Sequence, residues 1–288
     1  MSAMPDAEPG VASANAEVTA VDHWIYGVVQ GEGYTVKAVS KGLNASFYDS
    51  YLRGHYTPIR PAAVQSSGDV IDLQMIHPVR SGEEMLLSRV SRGLADEAGR
   101  PTFVNHTAVV PTDLFRSGAV TLEGVYEVLG KFVDPGGGSN MAMAPLEVPV
   151  RSETDRPPHG SGIHRYLTLP AFETLATRAM ADARNRTLLL CRDSTADNRN
   201  RTLYKIVELL NWGCGLPVFP AISDAPTASA LNFYNFVVAA RGVRSDSTWA
   251  IMESTLNAVA LPRVNDRDQV YAHIAATFRQ SKDTRSAL

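Results

Sequence analysis

The chain is poor in cysteine, with two residues, Cys191 and Cys214, among 288. Two thiols in a chain this long make no disulfide framework, and their positions match no metal-ligand spacing. Both are expected to be free thiols in a reducing compartment. An excess of either charge is also missing. There are 27 basic and 30 acidic residues, a net charge of -3 and a pI near 6.2, which leaves no overall basic field to gather nucleic acid phosphates. Long apolar runs are lacking too, since no segment approaches the roughly 20 apolar residues that cross a bilayer. The opening MSAMPDAEPGVASANAEV has neither the basic start nor the apolar centre of a secretion signal. The expectation is a cytoplasmic protein with no membrane insertion and no nucleic acid partner.

What is present fits a folded chain. Hydrophobic residues make up 44% and charged residues 20%, within the range of globular proteins and against wholesale disorder. The length allows one large domain or two ordinary ones. The reading is α+β, or mixed α/β, in two closely packed lobes. Residues 1–20 are small and polar with nothing to anchor them, so a disordered tail is expected. Residues 21–135 form a strand-rich lobe, 136–162 a connector rich in Pro, Gly, Ser and charge, and 163–288 an α/β lobe.

Within the first lobe, the β-branched and aromatic run His23 to Val29 reads as a strand. Gly31 and Gly33 supply a turn, and Tyr34 to Val39 returns as a hairpin partner. A short helix is expected over Ser46 to Leu52. Asp72 to His77, Glu84 to Val90 and Thr102 to Val110 read as further strands, with a turn at Asp96 to Gly99. Pro111-Thr112-Asp113 signals a helix start, and Val120 to Leu129 a second helix. In the second lobe an amphipathic helix begins near Pro170, and Thr187 to Cys191 is a strand whose continuous hydrophobicity implies burial on both faces. A helix follows over Leu203 to Leu210, then strands Val218 to Ile222 and Asn232 to Ala239. Helices are expected around Ile251 to Ala258 and Gln269 to Phe278.

Several constellations invite chemistry. The glycines of Gly27 to Gly33 resemble a phosphate loop, but the spacing matches neither a Walker loop nor a dinucleotide fingerprint, and a hairpin turn explains them. The seven histidines, His23, His55, His77, His106, His159, His164 and His273, contain no pair at one-turn helical spacing. His106 stands inside an apolar strand, where its ring must find a hydrogen-bond partner, so a buried structural histidine is expected there. Neither cysteine has a neighbouring His, and Cys191, at the end of an apolar strand, reads as core. Asp193, Asp197 and Asp224 are explained by caps and turns. No catalytic, cofactor-binding or metal-binding residue is assigned, and no cofactor is expected. Arg192, Arg199 and Arg201 flank the Thr187 to Cys191 strand and are the choice for partner-binding anchors, since arginine pairs bidentately with acidic groups. Trp24 and Tyr26 of the hairpin are the second choice.

In order, Trp24-Ile25-Tyr26-Gly27 with its glycine turn, Ser40-Lys41-Gly42-Leu43, and Phe103 to Val110 with His106 at its centre carry a resemblance. Leu188 to Leu190, the helix Leu203 to Leu210 and Leu216-Pro217-Val218-Phe219 extend it. Together they resemble the N-terminal region of GTPase-associated proteins of bacterial conflict and signalling systems. The resemblance implies a non-catalytic adaptor or association module that works with a small GTPase or another protein partner, here as a stand-alone version. In that family the last block commonly runs directly into a Ser-Thr pair, whereas here Pro220-Ala221-Ile222-Ser223 intervenes. A second resemblance, over Pro78 to Glu84 and the strands that follow, is to the later strands of a hot-dog acyl-thioester hydrolase. It implies a catalytic carboxylate or histidine, with Asp49 or His55 as the candidates.

Overall fold

The computed structural model describes residues 17–44, 72–79, 83–131, 138–152, 186–191, 195–208, 220–223, 234–240 and 249–253. The expected helices at Ser46 to Leu52, near Pro170 and at Gln269 to Phe278 lie outside these residues. Within them the fold is α+β, built on one mixed sheet.

The first strands follow from β-branched and aromatic runs broken by turns. They are β1 (Val18–Val29), β2 (Gly33–Ser40), β3 (Asp72–Val79), β4 (Glu84–Arg92) and β5 (Phe103–Pro111). Helix α1 (Thr112–Arg116) leaves β5 directly, and α2 (Leu122–Lys131) follows. Pro111 is the N-cap residue of α1 and, having no side-chain donor or acceptor, makes no side-chain cap. Two short strands come next, β6 (Met141–Met143) and β7 (Leu146–Pro149). The later elements are β8 (Arg186–Cys191), α3 (Ala196–Glu208), β9 (Ala221–Ile222), β10 (Phe236–Ala240) and β11 (Trp249–Glu253).

The sheet order is β11-β8-β10-β9-β3-β4-β5-β1-β2-β6, with β7 paired to β1. Antiparallel pairing joins β3, β4, β5, β1 and β2, whereas β11, β8, β10 and β9 run parallel. An antiparallel β3–β9 pair joins the two blocks, so strands from both halves of the chain share one sheet.

Three sequence readings are corrected. Val18 to Ala20, assigned to the tail, belong to β1 and pair with Glu147 to Pro149 of β7. Met141 to Met143 and Leu146 to Pro149, assigned to the connector, are strands because β2 and β1 offer them free ladder positions. The run from Ile251, expected to be helical, begins inside β11, which pairs in parallel with β8.

Each face of the sheet carries a core. Strand residues Val21, Ile76, Met85, Leu87, Ala108 and Val110 pack with Phe115, Val125, Tyr126, Leu129, Leu203, Ile206 and Val207 of the helices. Trp24, Tyr26, Leu73, Met75, Leu86, Val90, Phe103, Val109 and Val237 form the core of the opposite face. Burial on both sides fits the apolar residues that β4 and β5 present to both faces. Tyr126 and Tyr204 stack with ring centroids 5.2 Å apart, tying α2 to α3. Among the described residues no helix is long and apolar enough to cross a membrane.

Candidate functional site

Antiparallel register sets Ile25 opposite His106 and His23 opposite Ala108. With side chains alternating along each strand, His23 and His106 become diagonal neighbours on the helix face of the sheet. Nδ1 of His23 lies 2.8 Å from Nε2 of His106, and both rings are buried. At one end of the pair, Nε2 of His23 is 2.7 Å from the Ala144 carbonyl oxygen, in the link between β6 and β7. At the other, Nδ1 of His106 is 3.4 Å from the Leu129 carbonyl oxygen, in the last turn of α2.

Proton counting decides what this line of contacts can do. A carbonyl only accepts, so each outer nitrogen needs a hydrogen, and the central contact needs a third. Two neutral imidazoles carry two. The two short contacts take them: His106 Nε2–H donates to His23 Nδ1, and His23 Nε2–H donates to Ala144. The His106 Nδ1 contact with the Leu129 carbonyl is the longest of the three, at 3.4 Å.

Electrostatics keep the pair neutral. Burial pushes the His106 pKa down to about 3, helped by the neighbouring His23 and Arg89 and opposed by the Leu129 carbonyl. Burial also lowers that of His23, against the Ala144 carbonyl and the Asp22 carboxylate, which raise it. Ser40 fixes the backbone here. Its hydroxyl accepts from the His23 N–H at 2.8 Å and donates to the His23 carbonyl at 3.0 Å, where the β1–β2 ladder has just ended at Trp24 and Val39.

Beyond the pair, at the end of α2, lies a cavity of about 430 Å³ lined by Ile25, Arg89, Arg92, His106, Leu129 and Gly130, among others. At Gly130 the Arg89 guanidinium lies close over the last turn of α2, where a Cβ would displace it. A second cavity of about 610 Å³ lies between the β1–β2 turn and the loop after β4. The two share Leu94 and Val104. Leu94 is 83% exposed at their common rim. The loop behind it is held by Asp96, whose carboxylate accepts from the Ala98 and Arg100 amides and from the Arg100 guanidinium. The Arg100 amide, first among these bonds, holds the Asp96 carboxyl below its ordinary pKa.

The partner-binding choices fall elsewhere. Trp24 is fully buried and Tyr26 nearly so, so the hairpin meets solvent through its turn and not through these rings. Arg199 Nε donates to the Ser223 carbonyl at 3.2 Å, which ties α3 to the end of β9. Arg201, exposed, pairs with Asp197 one helical turn earlier. These arginines lie on α3 and are not brought together with the histidine pair. Arg192, Asp49, His55, Cys214, Asp193 and Asp224 lie outside the described residues. The Gly31 and Gly33 turn has φ of 79° at both glycines, with Glu32 N–H bonded to the Val29 carbonyl, as a hairpin turn requires. Sequence reasoning singled out His106 but missed His23 as its partner, although each stands at an inward-facing position of an apolar strand. Among the described residues no three His, Cys, Asp or Glu side chains gather around a metal position. No protein-family model matches the chain, and no curated protein matches it.

Proposed function

We propose that the chain is a non-catalytic association module of the bacterial cytoplasm, working with a small GTPase or another protein partner in a signalling or conflict system. The observation that carries this reading is the open groove between the β1–β2 turn and the loop after β4, with Leu94 standing 83% exposed at its rim. An apolar side chain held out in water beside a concave surface loses exposed apolar area when a partner covers it. The residues behind the resemblance support it as well. Trp24 to Gly27, Ser40 to Leu43 and Phe103 to Val110 are distant in sequence, yet β1 pairs with both β2 and β5.

The test begins with capture of partners from the native host and identification by mass spectrometry. A captured protein is then purified and titrated against Leu94→Asp, and a captured GTPase is titrated in its GDP and GTP forms. A loss of about tenfold or more in affinity, about 1.4 kcal/mol, is expected for Leu94→Asp. Undiminished affinity with the fold intact would remove Leu94 and this groove from the interface.

A further inference from the structure

The β1–β5 ladder ends at Tyr26 and Asn105, although β1 runs on through Gly27, Val28 and Val29, and β5 already begins at Phe103. Alternation shows which backbone groups are left facing the gap. The Thr102 carbonyl accepts from the Gly93 N–H on the β4 side, so Phe103 and Asn105 turn their own N–H and C=O groups toward β1. Tyr26 meets Asn105 there, and in the same register Val28 would meet Phe103. That pair does not form, and the Phe103 N–H donates to the Tyr34 hydroxyl at 3.2 Å instead. The strands are still close at Gly27, where a Cβ would lie 3.5 Å from the Phe103 carbonyl oxygen. Beyond it they part. The cavity of about 610 Å³ opens in this wedge, with Val28 and Val29 on one side and Thr102 and Val104 on the other. Among the described residues no strand pairs with Val28 on this side of β1.

We propose that the wedge takes an extended segment of the protein partner, which pairs its main chain with the edge of β1 at Val28 and lays an apolar side chain against Leu94 and Val104. The inference rests on the association reading above and names what the groove receives. An open strand edge offers N–H and C=O groups in ladder order, and another extended chain matches them. Leu94 adds exposed apolar surface at the rim. Charge selects the segment further. Around the cavity Lys37 is buried, and Arg100 is paired with Asp96. Glu97 stands exposed on the same wall. At the hairpin tip Glu32 is exposed too, accepting from the Ser139 hydroxyl at 3.3 Å. These acids favour a segment that carries Lys or Arg beside its apolar residue.

The experiment selects linear peptides of about seven residues from a random phage-displayed library on the whole chain, and then titrates an enriched sequence in synthetic form. That sequence should carry a basic and an apolar residue. N-methylation at single positions removes one main-chain donor and leaves the side chain. It should weaken binding about tenfold at the position that pairs with Val28 and little at the positions next to it, because N–H groups alternate between the two edges of a strand. The Val28 amide should exchange with solvent about tenfold more slowly in the saturated complex. Glu97→Lys, at an exposed position, should weaken the peptide about fivefold or more. Failure to enrich any peptide, an unchanged Val28 exchange rate at saturation, or tolerance of N-methylation at every position would overturn the proposal. A captured protein that loses affinity for Leu94→Asp without protecting Val28 would also overturn strand addition while leaving the association reading in place. A peptide that protects Val28, with a captured protein indifferent to Leu94→Asp, would uphold the strand site and remove that reading of the groove.

Discussion

Two buried imidazoles make stability depend on pH with a definite sign. Both folded-state pKa values lie below the ordinary 6.5, that of His106 at about 3. Below about pH 6.5 the unfolded chain therefore binds more protons than the folded one, and stability must fall as pH falls. It is fully retained above that pH, and the loss continues down to the folded value of His106. Each proton taken up by the unfolded chain costs about 1.4 kcal/mol per pH unit. Urea unfolding at about pH 6.5 and about pH 5 should therefore differ by about 2 kcal/mol. His106→Ala should cost about 1–3 kcal/mol above pH 7, through a cavity and the loss of a hydrogen bond to His23. It should also flatten the acid slope. An unchanged slope in that variant would locate the titrating group elsewhere.

At the scale of elements, β1 is the hub, since it pairs with β2, β5 and β7 along its length. His23 falls where pairing to β7 has ended at Val21 and pairing to β2 begins at Trp24. Ser40 serves both backbone groups of His23 there, with its side chain in place of a ladder partner. Ser40→Ala should therefore cost about 1–3 kcal/mol for buried backbone groups that lose a partner, and amide exchange at His23 should quicken. An unaltered exchange rate would mean that β2 closes the gap by itself. The same elements show what a sequence can reveal. The antiparallel strands β1 to β5 were legible because each carries its own run of β-branched and apolar residues between turns. Strand β11 was not, because Trp249–Glu253 is extended by pairing with β8, about sixty residues earlier in the chain. For β6 and β7 the cause is the same: three and four residues have little preference of their own. The histidine pair required the register of β1 against β5, and 83 residues separate its members. The choice of Trp24 and Tyr26 drew on aromatic content, which signals a strand without saying which face is covered, and both rings are buried.

For the whole molecule, the decisive feature is that an antiparallel block and a parallel block share one sheet through the short β3–β9 pair. That junction is reinforced by side chains. The Ser223 hydroxyl accepts from the Gln74 N–H at 2.9 Å, and the Ser223 N–H donates to the Gln74 carbonyl at 3.0 Å. Tyr204 of α3 donates to the Gln74 side chain and stacks on Tyr126 of α2, whose own hydroxyl donates to the Met75 carbonyl at 2.7 Å. Residues far apart in sequence thus complete one another's hydrogen bonds and one another's core, which couples their unfolding. Calorimetry should show a single thermal transition for the sheet with its helices. Tyr204→Ala, from the later half, removes a stacked ring and a hydrogen-bond donor to buried Gln74 and should destabilise by about 3–5 kcal/mol. Because the core is shared, that loss should lower the whole transition, and probes in β1, such as exchange at Ile25, should register it as strongly as probes in β10. Two separated transitions, with Tyr204→Ala moving only one and Ile25 unaffected, would show that the blocks fold independently and that the β3–β9 pair merely abuts them.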